Sequence, residues 1–383
     1  MIDASAPVRV ALTALSLKDL RNYAALELAF DASLVVLSGP NGAGKTNLLE
    51  AISLLTPGRG LRRASFEEIV RNGAVTGWTV AAALNRDGEE TRLGTGLFGR
   101  GGEARSRKVR INGATMPSAD SLLEYLRVLW LTPSMDGLFT GPAGDRRRFL
   151  DRLVLTIDSG HAKRTRDFER LLTQRNRILE ENGDAAWLDA VEAELAAHAV
   201  AVALARAETV ALLSSRLQSE ERVPGAFPAG RISLSGDFDA SISGLSAAEA
   251  ELRYRDILSA GRSADRAAGR ALHGPHRSDL DFVFAAKDMP AARSSTGEQK
   301  ALLIGLVLAH AEIVAEVSGM TPVLLLDEVA AHLDPARRRA LLDRLAALGS
   351  QSFLTGTDQA LFADLPSDSA HYQVANGAVS RAA

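Results

Sequence analysis

A chain of 383 residues without a cysteine excludes disulfides, thiol catalysis and cysteine-ligated metal. The length suits one large or two ordinary domains, and a hydrophobic content of 46% is enough for a substantial core. A formal net charge of −3 excludes a polycation, so any nucleic-acid contact has to come from local basic patches. Met1 to Ala11 lacks the basic region and long apolar run of a signal peptide, and no run of about 18 uninterrupted apolar residues occurs. The expectation is a cytoplasmic protein with no membrane span.

Val8 to Leu17 reads as a strand, mostly apolar and partly β-branched. Leu26, Leu28 and Phe30 then alternate with Glu27 and Ala29, the period of a half-buried strand. Between them lies Leu20-Arg21-Asn22-Tyr23, either a hairpin turn with a solvated arginine or a cation close enough to touch nucleotide. Ser33 to Ser38 reads as a buried strand and Asn47 to Ile52 as a helix. The residues joining them, Gly39-Pro40-Asn41-Gly42-Ala43-Gly44-Lys45-Thr46, fit the phosphate-loop pattern. Glycines let the backbone curl so that its N–H groups face inward as an anion nest. A helix starting at about Lys45 adds the positive end of its dipole. Lys45 can reach the outer phosphates, and the Thr46 hydroxyl can ligate Mg²⁺.

Gly58-Arg59-Gly60-Leu61-Arg62-Arg63 follows as a basic stretch, and Thr79 to Leu84 and Thr91 to Phe98 read as strands. Gly99 to Arg110 is glycine-rich and carries Arg105, Arg107 and Lys108 before the turn at Ile111-Asn112-Gly113. It is either a hairpin presenting cations to a phosphate backbone or a solvated loop. Near Pro142 the character changes. Residues 143–182 and Asp184 to Glu221 are rich in helix formers and read as an antiparallel helical pair, broken at Asn182-Gly183 and near Ser159-Gly160. The first half holds Arg146, Arg147 and Arg148 among a local excess of cations, which suits DNA contact or a helix surface laced with ion pairs. Arg231 to Leu234 reads as a strand, Ala247 to Ala260 as a helix and Leu280 to Phe284 as a strand. His273 and His276 lack a third ligand, which argues against zinc.

Ser294-Ser295-Thr296-Gly297-Glu298-Gln299 runs into a nearly all-apolar helix. Ser295 and Glu298 have capping-box spacing, and the same start makes a second phosphate site. Val323 to Leu326 is a buried strand ending in Asp327-Glu328. In phosphate-loop enzymes an Asp so placed helps hold Mg²⁺. The following Glu is placed to orient or deprotonate an attacking water. Leu333-Asp334-Pro335 comes next, and a last core strand, Ser352 to Thr355, ends in Gly356-Thr357-Asp358.

This ordered set resembles the ABC-type ATPase heads, and within them the RecF family of recombination-repair proteins. The resemblance covers nearly the whole chain. It is carried by Leu20 to Tyr23, Gly39 to Ile52, Arg146-Arg147-Arg148-Phe149-Leu150-Asp151, Gly274-Pro275-His276-Arg277-Ser278-Asp279-Leu280, Ser295 to Lys300 and Leu326-Asp327-Glu328. The implied fold is α/β: an ABC-type head with a phosphate-loop mixed sheet, plus a helical second lobe. The head would take residues 1–142 and 231–383, and the lobe 143–230.

The resemblance implies that ATP is sandwiched between two copies, the Lys45 loop of one facing Ser295 and Gly297 of the other. Arg21 and Asn22 match the stretch near the base and first phosphates, and Asn47 and Gln299 fall within the matching motifs. It further implies binding to double-stranded and gapped DNA, with Arg59, Arg105, Arg107, Lys108 and Arg146 to Arg148 as candidate contacts. RecO and RecR are the implied partners, with RecA loading as the outcome and slow, DNA-stimulated ATP hydrolysis at Glu328. Two positions depart from the pattern. Thr357 stands where such heads usually have a histidine, and Ser134 follows Pro133 where an acid is common. A transporter-energising ATPase subunit is the other reading of the same motifs.

Overall fold

β1 (Val10–Leu20) and β2 (Tyr23–Ala29) form the expected antiparallel hairpin, turning through Arg21 at φ 53°. Along β1 the buried set is Val10 and Leu12, then Leu15, Leu17 and Leu20. The switch from even positions at Val10 and Leu12 to odd ones at Leu15 and Leu17 coincides with a register shift between Leu12 and Ala14 against β4 (Thr79–Arg86). A bulge there resets which side chains face the core. β5 (Glu89–Phe98), β6 (Ser106–Ile111) and β7 (Ala114–Met116) complete a sheet of order β2-β1-β4-β5-β6-β7, antiparallel throughout. The structure, a computed structural model, describes residues 6–98, 106–221, 226–330, 333–357, 362, 365–366 and 368–382. Within the basic stretch, the described part from Ser106 is strand, whereas Arg105 lies outside the described residues.

The second sheet is the phosphate-loop sheet. β3 (Leu34–Ser38) lies between β14 (Ala370–Ala375) and β13 (Ser352–Gly356), followed by β12 (Val323–Leu326) and β8 (Val128–Leu131), all parallel. β15 (Ala378–Arg381) runs antiparallel on the β14 edge. Every residue of β12, β13 and β8 is buried, as strands covered on both faces should be. α1 (Lys45–Ser53) buries Leu48, Leu49 and Ile52 in one core with Leu15 and Leu17 of β1 and Val35 and Leu37 of β3. The buried Gln351 amide joins the two sheets. Its Nε2 donates to the Leu12 and Ala32 carbonyls, and its Oε1 accepts from Leu12 N–H at 2.7 Å. α7 (Thr296–Ser318) is long and apolar enough to cross a membrane, but 78% of its most apolar stretch is buried, so it is apolar because it is core. In α8 (Pro335–Leu348) the Asp334 side chain caps the helix by accepting from Arg337 N–H, with Pro335 in the first turn.

These elements form one unit, Met1–Asp136 with Gly225–Phe227 and Thr296–Ala383. The other is Gly137–Pro224 with Pro228–Ser295. It holds α2 (Ala143–Ile157), α3 (His161–Glu180), α4 (Ala185–Glu221), β9 (Gly230–Ser235), α5 (Asp237–Ile242), α6 (Ala247–Ala268), β10 (Asp279–Phe284) and β11 (Met289–Pro290). α4 is also long and apolar enough to cross a membrane, with half of its most apolar stretch buried. α3 and α4 are the expected antiparallel pair: Arg170 meets Glu194, and Arg175 meets Glu192. The expected boundary at residue 230 does not match. Residues 231–295 belong with the helices, because β9 pairs β10 and α6 gives Tyr254 and Leu258 to the core of α3 and α4. The fully buried Arg175 guanidinium binds Glu192 on α4, and Asp265 and the Leu258 carbonyl on α6.

Candidate nucleotide site

The phosphate loop leaves the C-terminal end of β3 and enters α1 through Gly44 in the left-handed region. Gly39 donates its N–H to Gly356 O of β13, and Ala43 donates to Pro40 O. A Cβ on Gly39 would lie 2.1 Å from Val374 O, so only glycine lets the loop pass β14. The Tyr23 hydroxyl donates to Gly44 O at 3.1 Å, and the Asn22 amide donates to Ala43 O at 3.1 Å. The β1–β2 turn is thus bonded to the outside of the loop.

Four side chains named from the sequence come together here. Lys45 Nζ folds back onto Gly39 O at 2.7 Å and Pro40 O at 3.0 Å. Burial pushes its ammonium below the ordinary lysine value, against the opposing pull of Glu328 and Asp327. Thr46 Oγ1 lies 3.0 Å from both Asp327 oxygens, although the two residues are 281 positions apart. Asp327 follows β12 and keeps the last ladder bond, its N–H donating to Leu131 O at 2.8 Å. Glu328 turns out of the sheet at φ 54°, with its N–H donated to Thr355 Oγ1 at 2.8 Å. The Thr355 hydroxyl in turn donates to Asp327 Oδ1 at 2.7 Å. A hydroxyl and a carboxylate side by side are hard oxygen donors of the kind Mg²⁺ takes, so Thr46 and Asp327 fit that ion.

Arg21 has a different place from the one the motif suggested. Its Nε and Nη2 grip the Glu50 carboxylate at 2.7 and 2.8 Å, and its Nη1 donates to Glu68 O. Hydrogen bonding to Glu50 raises its pKa. All three donor nitrogens are committed, so Arg21 anchors α1 from behind and offers no open fork to a phosphate. Asn22 and Asn47 are bonded to each other at 2.7 Å, and Arg62 reaches both Asn47 and Glu50. Glu50 and Arg62 escaped the sequence reading, since a Glu in a helix and an Arg in a basic run both read as solvated.

The remaining candidates divide by exposure. Ser295 and Gly297 are exposed at the start of α7, and a Cβ on Gly297 would meet nothing within 4 Å. Gln299 is buried one turn on, so it does not present itself beside them. Thr357 is exposed directly after β13, and Asp358 lies outside the described residues. Ser134 bonds Thr132 at 2.9 Å, and Asp136 pairs with Lys300 at 3.5 Å.

Among the proposed DNA contacts, Arg59 and Lys108 are exposed. Arg107 is not displayed. Its guanidinium donates to the carbonyls of Leu54, Thr56 and Gly58 at the end of α1 and to Thr95 Oγ1, and burial pushes its pKa down to about 10. Arg146 is bidentate on Asp279 at 2.7 Å, Arg147 donates to Ser278 O, and Arg148 pairs with Asp145. Asp151 binds Arg206 and His161, while Arg206 also donates to Pro275 O. The arginine-triplet stretch and the Gly274-to-Leu280 stretch are therefore two halves of one internal polar junction. For Arg107 and Arg146 the correction is the same: all three guanidinium nitrogens are bonded inside the fold, whereas Arg147 commits its Nη1 to Ser278 O.

Residues 11–380 match the family model described as RecF/RecN/SMC N terminal domain. The DNA replication and repair protein RecF of Mesorhizobium japonicum is 53% identical over 376 residues, covering 97% of this chain and 98% of its own length. That of Rhizobium meliloti is 53% identical over 375 residues, covering 98% of this chain and 100% of its own length. Among solved structures, the recombination mediator protein RecF-ATP in the RecFOR pathway superimposes with a TM-score of 0.85 at 23% identity, covering 100% of both chains. A Pyrococcus furiosus Smc head domain gives a TM-score of 0.52 at 16% identity over 97% of this chain and 96% of its own. Both likenesses are of fold, and the fold is that of an ABC-type ATPase head. With half of the residues of full-length relatives retained, the chain belongs to the RecF family of DNA replication and repair proteins.

Proposed function

We propose that this chain is an ATP-gated DNA-binding clamp of recombinational repair and replication restart. The observation that carries the reading is the gathering of Lys45, Thr46, Asp327 and Glu328 from opposite ends of the sequence at the ends of β3 and β12. The N–H groups of Asn41, Gly42 and Gly44 and the Lys45 ammonium bind the phosphates, with Asn22 and Asn47 alongside. Thr46 and Asp327 would hold Mg²⁺, which would neutralise the charge of the triphosphate. Glu328 orients the attacking water and accepts its proton. Ser295 and Gly297 of a second copy cover the phosphates, so that ATP closes a homodimer over double-stranded or gapped DNA and hydrolysis reopens it. Thr357 can hydrogen-bond a phosphate but carries no charge, which suits slow, DNA-stimulated turnover, a switch more than a motor.

Arg59 and Lys108, exposed and basic, are the head residues offered to the DNA backbone. Membership of the RecF family supports DNA as the ligand, RecO and RecR as partners, and RecA loading as the outcome. It disfavours the transporter-subunit reading of the same motifs. The test is sedimentation of the Glu328→Gln variant with Mg²⁺–ATP, alongside its turnover. The expected result is a stable dimer whose hydrolysis falls by ~100-fold or more, as for loss of a general base. A variant that stays monomeric at and above cellular concentration overturns the clamp, and undiminished turnover removes Glu328 from the mechanism.

A further inference from the structure

We propose that Thr355 is a positioning residue of the hydrolytic site, one hydroxyl that sets both Asp327 and Glu328. The inference rests on the proposed ATPase reading and deepens it. Thr355 is fully buried on β13, the strand between the phosphate-loop strand β3 and the acidic strand β12. Its Cα pairs in register with Leu37 of β3, and its neighbour Leu354 pairs with Leu326 of β12, the residue before Asp327. A hydroxyl has one proton and two lone pairs. Here the proton goes to Asp327 Oδ1 at 2.7 Å, and a lone pair takes the Glu328 N–H at 2.8 Å.

Both bonds answer a need created by the backbone. β12 ends at Leu326, and Glu328 adopts φ 54°, a conformation that a non-glycine side chain rarely takes. Leaving the strand removes the Glu328 N–H from the sheet ladder, and a buried N–H without an acceptor is costly. Thr355 supplies that acceptor from the adjacent strand and so stabilises the turn that aims the glutamate. At the same time it claims Oδ1 of Asp327 and fixes the carboxylate plane before any cation competes for the Thr46 contact. The valine isostere fills the same space and does neither.

Thr355→Val and Thr355→Ser are compared with the parent by three measurements: turnover, nucleotide affinity without Mg²⁺, and the Mg²⁺ concentration giving half-maximal binding of a fluorescent ATP analogue. For Thr355→Val, turnover is expected to fall about 10- to 100-fold, the loss of a hydrogen bond to a charged group. The Mg²⁺ requirement should rise several-fold while Mg²⁺-free affinity stays within about twofold, since the phosphate nest is untouched. Thr355→Ser should recover most of both losses. Parental turnover and Mg²⁺ requirement in Thr355→Val overturn the proposal. So does a parallel loss of Mg²⁺-free affinity and melting temperature that serine fails to rescue, which marks a purely structural hydroxyl. If the parent binds Mg²⁺–ATP but does not hydrolyse it, the ATPase reading fails while the Mg²⁺ titration still decides the role of Thr355. Should Thr355→Val not fold, Thr355→Ala takes its place against Thr355→Ser.

Discussion

At Gly44, φ is 117° and a Cβ would sit 2.5 Å from the Tyr23 hydroxyl and 2.6 Å from the Asn22 amide. Gly42, two residues earlier, has φ 78° but open space around it. Substitution by alanine separates the two demands. Gly42→Ala meets only the backbone penalty, ~1 kcal/mol. Gly44→Ala adds a collision with the β1–β2 turn and should cost ~1–3 kcal/mol in chemical denaturation, with nucleotide binding weakened further because the loop must move. Equal effects of the two would show that the turn does not brace the loop. The spacing of the glycines is plain in the sequence. Their inequality is not, because Tyr23 reaches Gly44 only through the fold. Arg21 shows the same limit: its motif suggested the nucleotide, and the buried Glu50 carboxylate, 29 positions away, captured it.

Between α2 and the segment before β10, the family-specific residues turn out to bind each other. Burial alone would raise the Asp151 carboxyl, but the His161 and Arg206 contacts outweigh it and hold its pKa at about 2. A carboxylate depressed in the folded state contributes stability above its unfolded pKa and loses it as pH falls through the folded value. The junction should therefore be fully effective above about pH 5 and lose ~2 kcal/mol between about pH 4 and pH 2. Urea midpoints of the parent and Asp151→Asn, measured across that range, should converge as pH falls. A constant gap would mean that Asp151 titrates normally. The strands and helices at this scale were largely legible from apolar period and turn residues, including the breaks at Gly160 and Asn182-Gly183. What was not legible was that β9, α6 and β10 pack with the helices. Their own patterns say strand and helix but carry no mark of which core receives them.

For the molecule as a whole, a net charge of −3 means that DNA affinity must come from local cations on an otherwise repelling surface. Binding to duplex DNA should then fall steeply with salt, by roughly a thousandfold from low to moderate ionic strength if six or more phosphates are contacted. Titrations at several salt concentrations measure the slope. Arg59→Ala and Lys108→Ala should each make it shallower by about one ion, whereas a flat response would remove the basic-patch argument. Arg107 serves as the contrast. Its replacement should lower stability and unsettle the end of α1 before it touches the salt slope, since its donors all go to the protein.

The sequence by itself determined the chemistry: a phosphate loop between strand and helix, an acid pair at the end of an apolar strand, and a Ser-Thr-Gly-Glu-Gln run opening an apolar helix. Each is a local pattern, written by the backbone and side-chain needs of neighbouring residues, so a single pass along the chain can read it. The tertiary structure decided which polar groups remain available. Arg21, Arg107, Arg146 and Arg147 look alike in the sequence as cations near motifs, and each is claimed by a carboxylate or carbonyl 29 to 133 positions distant. Thr355 looks like an ordinary strand residue until β13 slots between β3 and β12 and sets its hydroxyl against Asp327. Such partnerships follow from strand order and packing, which no short window of sequence contains.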